Sequence, residues 1–213
     1  MLSAGASRRK ATGSKSGLST PRSARDSGSF MAQIYKRASL GPSTLIFMTD
    51  NTTPADGAHT TNGVPHGYST ITPFLAVTDA KAALDFYASV FDAKIITAMT
   101  NNEAVVHAEI QFANGRLELG EASSDYNTVA SEPESDTVAF SLALYCTNVD
   151  RVVELAIAHG ATLREPVAYF ASGDRYGSIR DPFGVRWTIM TRVEDLSDEE
   201  SEQQVKEWME TLG

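Results

Sequence analysis

The chain has 213 residues, of which 42% are hydrophobic and 21% are charged, and its formal net charge is −9 at pH 7. This composition is typical of one soluble globular domain with room for tails. It excludes a disulfide scaffold, because Cys146 is the single cysteine. There is no run of about 18 apolar residues, so the sequence predicts no transmembrane helix.

The N-terminal stretch differs from the remainder in charge. Residues 1–47 carry eight Lys or Arg residues and one acid, Asp26, for a net charge of +7, which leaves −16 on residues 48–213. Without apolar periodicity, residues 1–67 are predicted to be a disordered basic and polar tail. A transit peptide, or a segment that touches nucleic acid or anionic lipid, fits this composition. A start at Met48 would instead place the basic part outside the native protein.

Regular structure is predicted from Tyr68 onward. STITPFLAV (69–77) is rich in Thr and large apolar residues and predicts a strand. Residues 78–93 predict a helix with Asp79 as its N-cap, because apolar residues recur there at helical spacing. Three strands are predicted next, with an Asn-Gly turn between the last two: KIITAMT, VVHAEIQF and RLELGEA.

The same order of elements then repeats. TVAFSLALYC (137–146) predicts a strand, and residues 148–161 predict a helix capped by Asn148. TLREPVAYF, RYGSIRD and VRWTIMT predict three more strands. The repeat divides the ordered part, residues 68–213, into one module at 68–124 and a second at 136–193.

A C-terminal helix is predicted over residues 196–212. Ser197 and Glu200 have the spacing of a capping box at its start. Its apolar stripe is expected to dock on the domain or on a second subunit: Val205, Trp208, Met209 and Leu212.

Four separated segments carry a resemblance to one family. They are TPFLAVTDAKAALDFYASVFDA, VVHAEI, GDRYGSIRDPFG and VEDLSDEE, in the right order over residues 68–213. The chain resembles the vicinal-oxygen-chelate superfamily (glyoxalase/bleomycin-resistance/dioxygenase) and looks closest to its PhnB-like subgroup. The resemblance implies an α+β fold in which two βαβββ modules form paired curved mixed sheets around a cavity. It also implies a homodimer, and the superfamily pairs its modules both within one chain and between two.

Alternation along the strands predicts which side chains line the cavity. In VVHAEIQF the helix-covered side is predicted to receive Val106, Ala108, Ile110 and Phe112. The cavity side is predicted to receive Val105, His107, Glu109 and Gln111. Further ligand-binding residues are predicted on the cavity side of the other strands: Thr72, Phe74, Glu118, Ser141, Tyr145, Tyr176, Ser178, Arg180 and Thr188. So many polar side chains on one face predict that the face is wet or liganded.

The segment ASGDRYGSIRDPFGVRW (171–187) places a short strand between two turns. Tyr176 and Arg180 share a face of this strand, which suits an anionic or planar ligand. The alternative is structural, with Arg180 paired to an acid such as Asp181 or Glu109.

The resemblance also implies a divalent metal held by ligands on the first and last strands of each module. The matching positions are Thr72, Ser141, Glu118 and Thr188. Only Glu118 is a competent ligand. The protein is therefore predicted to use no cofactor, and the alternative is a divalent metal held through His107 and Glu118.

Two function classes remain open. The favoured one is a small-molecule-binding protein of the glyoxalase/bleomycin-resistance type, without the usual metal. Such a protein would bind a small hydrophobic or cationic ligand. The charge of −16 on residues 48–213 favours a cationic ligand and argues against nucleic acid and membrane as partners.

The alternative is a metal-assisted or His/Glu acid–base enzyme of the lyase, isomerase or dioxygenase type. Its catalytic residues would be His107, as acid or base, and Glu109, as its orienter, with Glu118 as a second candidate for that role.

The lone Cys146, in an apolar run, indicates a reducing compartment and hence the cytoplasm.

Overall fold

The computed structural model describes residues 53–212, and the expectations for residues 1–52 lie outside that range. Two four-stranded mixed sheets, a two-stranded hairpin and three α-helices are the main elements of the described part of the chain. This arrangement confirms the predicted α+β class. Among residues 53–212, no helix combines the length and apolar character needed to cross a membrane.

A short hairpin precedes the first module. It pairs β1 (Thr60–Thr61) with β2 (Val64–Pro65), in a stretch that the sequence predicts to be disordered through residue 67. Asn62 and Gly63 form its turn with φ angles of 48° and 81°. Asn-Gly tolerates this left-handed backbone and favours tight hairpins, which gives the physical reason for the correction.

The first module follows the predicted order. Its elements are β3 (Phe74–Val77), α1 (Ala80–Phe91), β4 (Lys94–Asn101), β5 (Ala104–Phe112) and β6 (Gly115–Glu121). The sheet order is β3-β6-β5-β4, with β3 parallel to β6 and the other pairs antiparallel. The strand predicted over 69–77 is shorter because Pro73 cannot donate a ladder hydrogen bond. The hydroxyls of Ser69 and Thr72 instead donate to nearby backbone carbonyls.

The second module repeats this topology after a 3-10 turn at Ser124–Tyr126 and a linker over residues 127–141. Its elements are β7 (Leu142–Tyr145), α2 (Val149–Ala158), β8 (Thr162–Phe170), β9 (Asp174–Arg180) and β10 (Arg186–Arg192). The sheet order is β7-β10-β9-β8. The strand predicted over 137–146 keeps only its C-terminal part, because its N-terminal half belongs to the linker.

Side-chain caps begin all three helices where the sequence predicts them. Asp79 accepts a hydrogen bond from the Ala82 N–H at 2.9 Å, and Asn148 accepts one from the Arg151 N–H at 3.0 Å. Helix α3 (Asp198–Glu210) starts with the predicted capping box between Ser197 and Glu200. These caps satisfy backbone donors that a helix leaves free at its N-terminus.

Asp181, which is 2% exposed, joins the two modules. Its carboxylate accepts hydrogen bonds from Tyr87 Oη at 2.7 Å and from Trp187 Nε1 at 2.9 Å. The backbone N–H groups of Phe183 and Val185 donate to it at 2.9 Å each. Burial raises the pKa of Asp181, and the hydrogen bonds from Trp187 and Tyr87 oppose that rise. Burial also raises the pKa of Tyr87.

Aromatic packing merges the cores of the two modules. The Trp187 ring lies 4.8 Å from Phe91, 5.5 Å from Tyr87 and 6.4 Å from Phe112, measured between centroids. Phe91 and Tyr87 come from α1, and Trp187 and Phe112 extend from the helix-covered faces of the two sheets. The two sheets therefore share one core through these faces. Their opposite faces point away from this shared core, and no backbone pairing joins a strand of one sheet to a strand of the other within residues 53–212.

Candidate functional site

Three polar side chains meet on the outer face of the first sheet. His107 and Glu109 lie two residues apart on β5, and Glu118 on β6 is the cross-strand partner of Glu109. Each of the three offers a possible ligand atom, and these atoms all lie within 4.8 Å of one another. His107 Nε2 is 3.8 Å from Glu109 Oε1, and the two side chains are 29% and 17% exposed. The predicted His/Glu cluster is thus brought together.

A β-bulge alters the predicted faces of β5 at its start. Met99 pairs with His107 while Thr100 pairs with Val105, so Val106 is an extra residue. Beyond such a bulge the alternation reverses. Val105 is accordingly buried at 4% exposure, and Val106 is 45% exposed, opposite to the prediction. From His107 onward the predicted faces hold.

Phe74 forms the apolar wall of the cluster. Its ring stacks on the His107 imidazole, with centroids 6.2 Å apart and planes inclined by 21°. Gly120 lies underneath, where an added Cβ would come within 2.5 Å of the Val106 carbonyl oxygen and 3.2 Å of the Phe74 ring. The missing side chain at Gly120 therefore allows the bulge and the aromatic ring to approach β6.

Arg116 holds Glu109 in place. Its Nη1 donates to Glu109 Oε2 at 2.9 Å, and its Nε donates to Gln111 Oε1 at 3.0 Å. The guanidinium also lies 4.3 Å from the Tyr68 ring centroid. Hydrogen bonding from the Tyr68 hydroxyl lowers the pKa of Glu109, partial burial opposes this, and the charges of Arg116 and His107 lower it further. Glu109 is therefore held as a carboxylate, which suits an orienting role more than proton transfer.

The sequence did not indicate two of these partners. Arg116 precedes Glu118 by two residues and lies opposite Gln111, so strand alternation could have placed it on the same face. Tyr68 precedes β3 in an irregular segment, where no periodic pattern predicts the direction of a side chain.

The state of Glu109 predicts a pH-dependent contribution to stability. Its pKa is lowered from the ordinary value of 4.5, so the carboxylate stabilises the fold above the unfolded-state pKa and loses this effect as the pH falls through the folded-state value. Glu109→Gln should therefore be less stable than the wild type at pH 7, and the difference should shrink below about pH 4.5. Urea unfolding midpoints measured across this range test it.

Glu154→Gln, at an exposed position of α2, is the matched control for that comparison. Its stability difference from the wild type should stay small at each pH. A Glu109→Gln difference that remains constant down to about pH 3 would contradict the assigned interactions.

Most of the other predicted ligand-binding residues lie apart from this cluster. Those on the face of the second sheet opposite α2 are Tyr176, Ser178, Arg180 and Thr188, of which Ser178 is buried at 3% exposure. Ser141 and Tyr145 are exposed around β7, and the Thr72 hydroxyl donates to the Ser69 carbonyl at 3.4 Å. Within residues 53–212, no hydrogen bond, ion pair or ring contact joins the second-sheet residues to the His107 cluster.

Arg180 pairs with a residue that the sequence did not indicate. Its Nη1 donates to the Ser135 carbonyl at 3.0 Å and to Asp136 Oδ1 at 3.2 Å. The two expected partners of Arg180 accept hydrogen bonds from other residues. Asp181 accepts from Tyr87 and Trp187, and Glu109 accepts from Arg116. The acceptors lie in the linker, whose conformation no periodicity predicts.

The stripe on α3 docks in part. The Trp208 ring packs edge-on against Phe170 at 5.2 Å, and Phe170 packs against Tyr176 at 5.8 Å. Met209 and Leu212 remain 52% and 67% exposed. The helix therefore covers part of the second module and leaves apolar surface at its C-terminal end.

The residues at the superfamily's metal positions do not fit a divalent ion. Three of them carry hydroxyls, namely Thr72, Ser141 and Thr188, and neutral hydroxyls are weak ligands. His107 and Glu118 are better donors, and with Glu109 they form the one group of three potential ligands among residues 53–212. Arg116, however, already forms an ion pair with Glu109, and its positive charge repels a metal cation.

Comparison with known proteins identifies the family. The model of the Glyoxalase/Bleomycin resistance protein/Dioxygenase superfamily matches residues 48–189. The chain belongs to this superfamily, since the match covers more than half of its length.

Individual relatives are more distant. The uncharacterized protein Mb0911c of Mycobacterium bovis is 27% identical over 139 residues, which span 61% of this chain and 88% of the relative. TioX from Micromonospora sp. ML1 is 19% identical with a TM-score of 0.47, over 61% of this chain and 100% of TioX. A Bacillus cereus protein described as a putative 3-demethylubiquinone-9 3-methyltransferase, PhnB protein, is 23% identical with a TM-score of 0.47, over 58% and 99%.

Proposed function

We propose that the protein binds a small molecule on the outer face of the first sheet, as a PhnB-like binding protein without a resident metal. The observation that carries this proposal is the pairing of an open aromatic ring with hydrogen-bonding groups. Phe74 is 43% exposed and stacks on His107, while Glu118 lies beside them half-buried. A ligand with an apolar or planar body and a polar group fits this combination.

The charge of the site favours a cationic or hydrogen-bond-donating ligand. Arg116 neutralises Glu109, but the Glu118 side chain accepts no hydrogen bond from any group in residues 53–212. A half-buried carboxylate gains from a donor or a positive charge supplied by a ligand. The acidic balance of residues 48–213, −16, acts in the same direction.

A homodimer is part of this proposal. The shared core occupies the helix-covered faces of both sheets, so each outer face needs a further element to enclose a ligand. Exposed apolar side chains on the first sheet support such a contact, since Met99 is 53% and Val106 45% exposed. Met209 and Leu212 add apolar surface on α3.

Sedimentation at micromolar concentration should therefore give a mass near twice the 22.9 kDa of one chain. Met99→Glu should shift the mass toward that of the monomer, because a charge in an apolar contact is costly to desolvate. Met209→Glu tests the α3 surface in the same way. A wild-type mass near 22.9 kDa would contradict the dimer.

An enzyme is the second candidate, and the spacing of His107 and Glu109 favours it. The imidazole nitrogen is 3.8 Å from a carboxylate that Arg116 keeps ionised. Such a pair can orient a histidine and stabilise it when it takes a proton from a substrate. If His107 and Glu118 held a divalent metal, it would supply Lewis-acid polarisation of substrate oxygens.

Metal analysis and a ligand search on one sample separate the two candidates. Purified full-length protein is dialysed, and elemental analysis is followed by native mass spectrometry for bound small molecules. If the protein only binds a ligand, elemental analysis should find less than one metal ion per chain. Mass spectrometry should then find a bound small molecule in the wild type that is absent from Glu118→Gln. The reverse pattern, with dialysis-resistant stoichiometric metal lost in the same variant, favours the enzyme.

A cytoplasmic location, inferred from the unpaired Cys146, is also proposed.

A further inference from the structure

Three arginines of the second sheet converge on the linker between the modules. Arg180 ends β9, Arg186 begins β10 directly opposite it, and Arg164 lies at a register shift in β8. Arg164 Nε and Arg180 Nη1 both donate to Asp136 Oδ1, at 3.2 Å each. Arg186 Nη2 donates to the backbone carbonyl of Asp136. One linker residue thus receives hydrogen bonds from all three guanidinium groups.

The positive charge of these arginines is only partly neutralised. Asp136 is 74% exposed, and it is the one acidic residue within ion-pair distance of Arg164 and Arg180 in the described part of the chain. Arg186 forms no ion pair with residues 53–212, and its buried Nε lacks a hydrogen-bond partner there. Arg180 and Arg186 are direct cross-strand neighbours, where like charges repel. A second anion would relieve this repulsion.

The guanidinium groups also retain binding capacity. Each has five N–H donors in a planar fork that matches the oxygens of a carboxylate or phosphate. Arg164 and Arg180 are 21% and 11% exposed, so their side chains are held by the fold and lose little entropy on binding. They line an open cleft of about 410 Å³ together with Thr162, Leu163, Glu134 and Asp136. That volume suits a small molecule.

We propose that this cleft binds an oxyanion group of a small molecule, a carboxylate or a phosphate, through Arg164 and Arg180. The carboxylate of Asp136 occupies the anion position in the absence of ligand and competes with it. The linker is therefore a built-in competitor that binding displaces. This cleft is separate from the His107 cluster, and the inference does not rest on the proposed function.

Calorimetric titration with inorganic phosphate tests the competition. Asp136→Asn should bind phosphate about tenfold more tightly than the wild type, the effect of removing one charged competitor. Adding Arg180→Gln to that variant should abolish the gain. Asp125→Asn is the matched control, since Asp125 is exposed near the same linker and should leave phosphate affinity unchanged. A parallel titration with acetate assigns the preferred oxyanion.

A measurement on the wild type keeps the test independent of the variants. Saturating phosphate should increase amide hydrogen exchange in residues 134–137, because the linker leaves the arginines. Equal phosphate affinity of the wild type and Asp136→Asn, or a gain that survives Arg180→Gln, would overturn the proposal. Unchanged linker exchange at saturation would overturn the displacement. Either result would mean that the arginines only anchor the linker.

Discussion

Asp181→Ala should lower the free energy of unfolding by about 3–5 kcal/mol. The change removes the acceptor of four hydrogen bonds at a site that is 2% exposed. Tyr87 Oη–H and Trp187 Nε1–H would be left buried without a partner. For a domain of this size the melting temperature should fall by roughly 10 °C. Chemical and thermal unfolding measure the two quantities.

Two variants show whether the loss comes from this network. Tyr87→Phe removes one of the four donors and should cost about 1 kcal/mol. Asp85→Ala removes an exposed carboxylate from α1 and should change stability by less than about 0.5 kcal/mol. If Asp181→Ala were no more destabilising than Asp85→Ala, the assigned link between the modules would be wrong.

His107→Ala should produce a large functional effect, and its size separates the two candidate functions. In an enzyme it should reduce turnover by about 10²–10⁴, the usual contribution of a general acid or base, with a smaller change in substrate affinity. In a binding protein it should weaken affinity by about 1–2 kcal/mol, the value of one hydrogen bond to a polar or charged group. Steady-state kinetics and calorimetry with the identified ligand provide the two readouts.

Phe74→Ala and His59→Ala complete that comparison. Phe74→Ala removes the ring stacked on His107 and should weaken ligand binding by about 0.5–1.5 kcal/mol. His59 is an exposed histidine before the modules, and its replacement should leave binding and turnover unchanged. Full affinity and activity in His107→Ala would exclude the outer face of the first sheet as the site.

The sequence predicted the His107 cluster because strand alternation is a strong physical constraint. From Ala108 to Phe112 the pairing with β6 is regular, so every second side chain shares a face. The same rule failed at Val105 and Val106, because a bulge inserts one residue and nothing in the local composition marks it. The Asn62-Gly63 turn did carry a recognisable signal, but the polar composition around it obscured the short hairpin.

Contacts between distant segments could not be predicted in the same way. Alternation places Arg180 and His107 on the outer faces of their own sheets, but it does not determine how the two sheets pack. That arrangement depends on the aromatic cluster around Trp187, which directs the helix-covered faces toward each other. The linker partner of Arg180 depends on the path of an irregular segment, for which sequence periodicity offers no guide.

The hydrogen bond between Tyr87 and Asp181 spans 94 positions of the chain, and this separation has a consequence for folding. Each module has its own complement of strands and a helix, yet Trp187 of one packs against Phe91 of the other. The first module cannot bury its aromatic rings until the second module has been synthesised, because Trp187 of the second module covers them. The nascent first module should therefore expose an apolar surface until residues near 187 emerge, and non-local closure of this kind slows folding. Two fragments cut within the linker would be expected to acquire their native cores only by recombining.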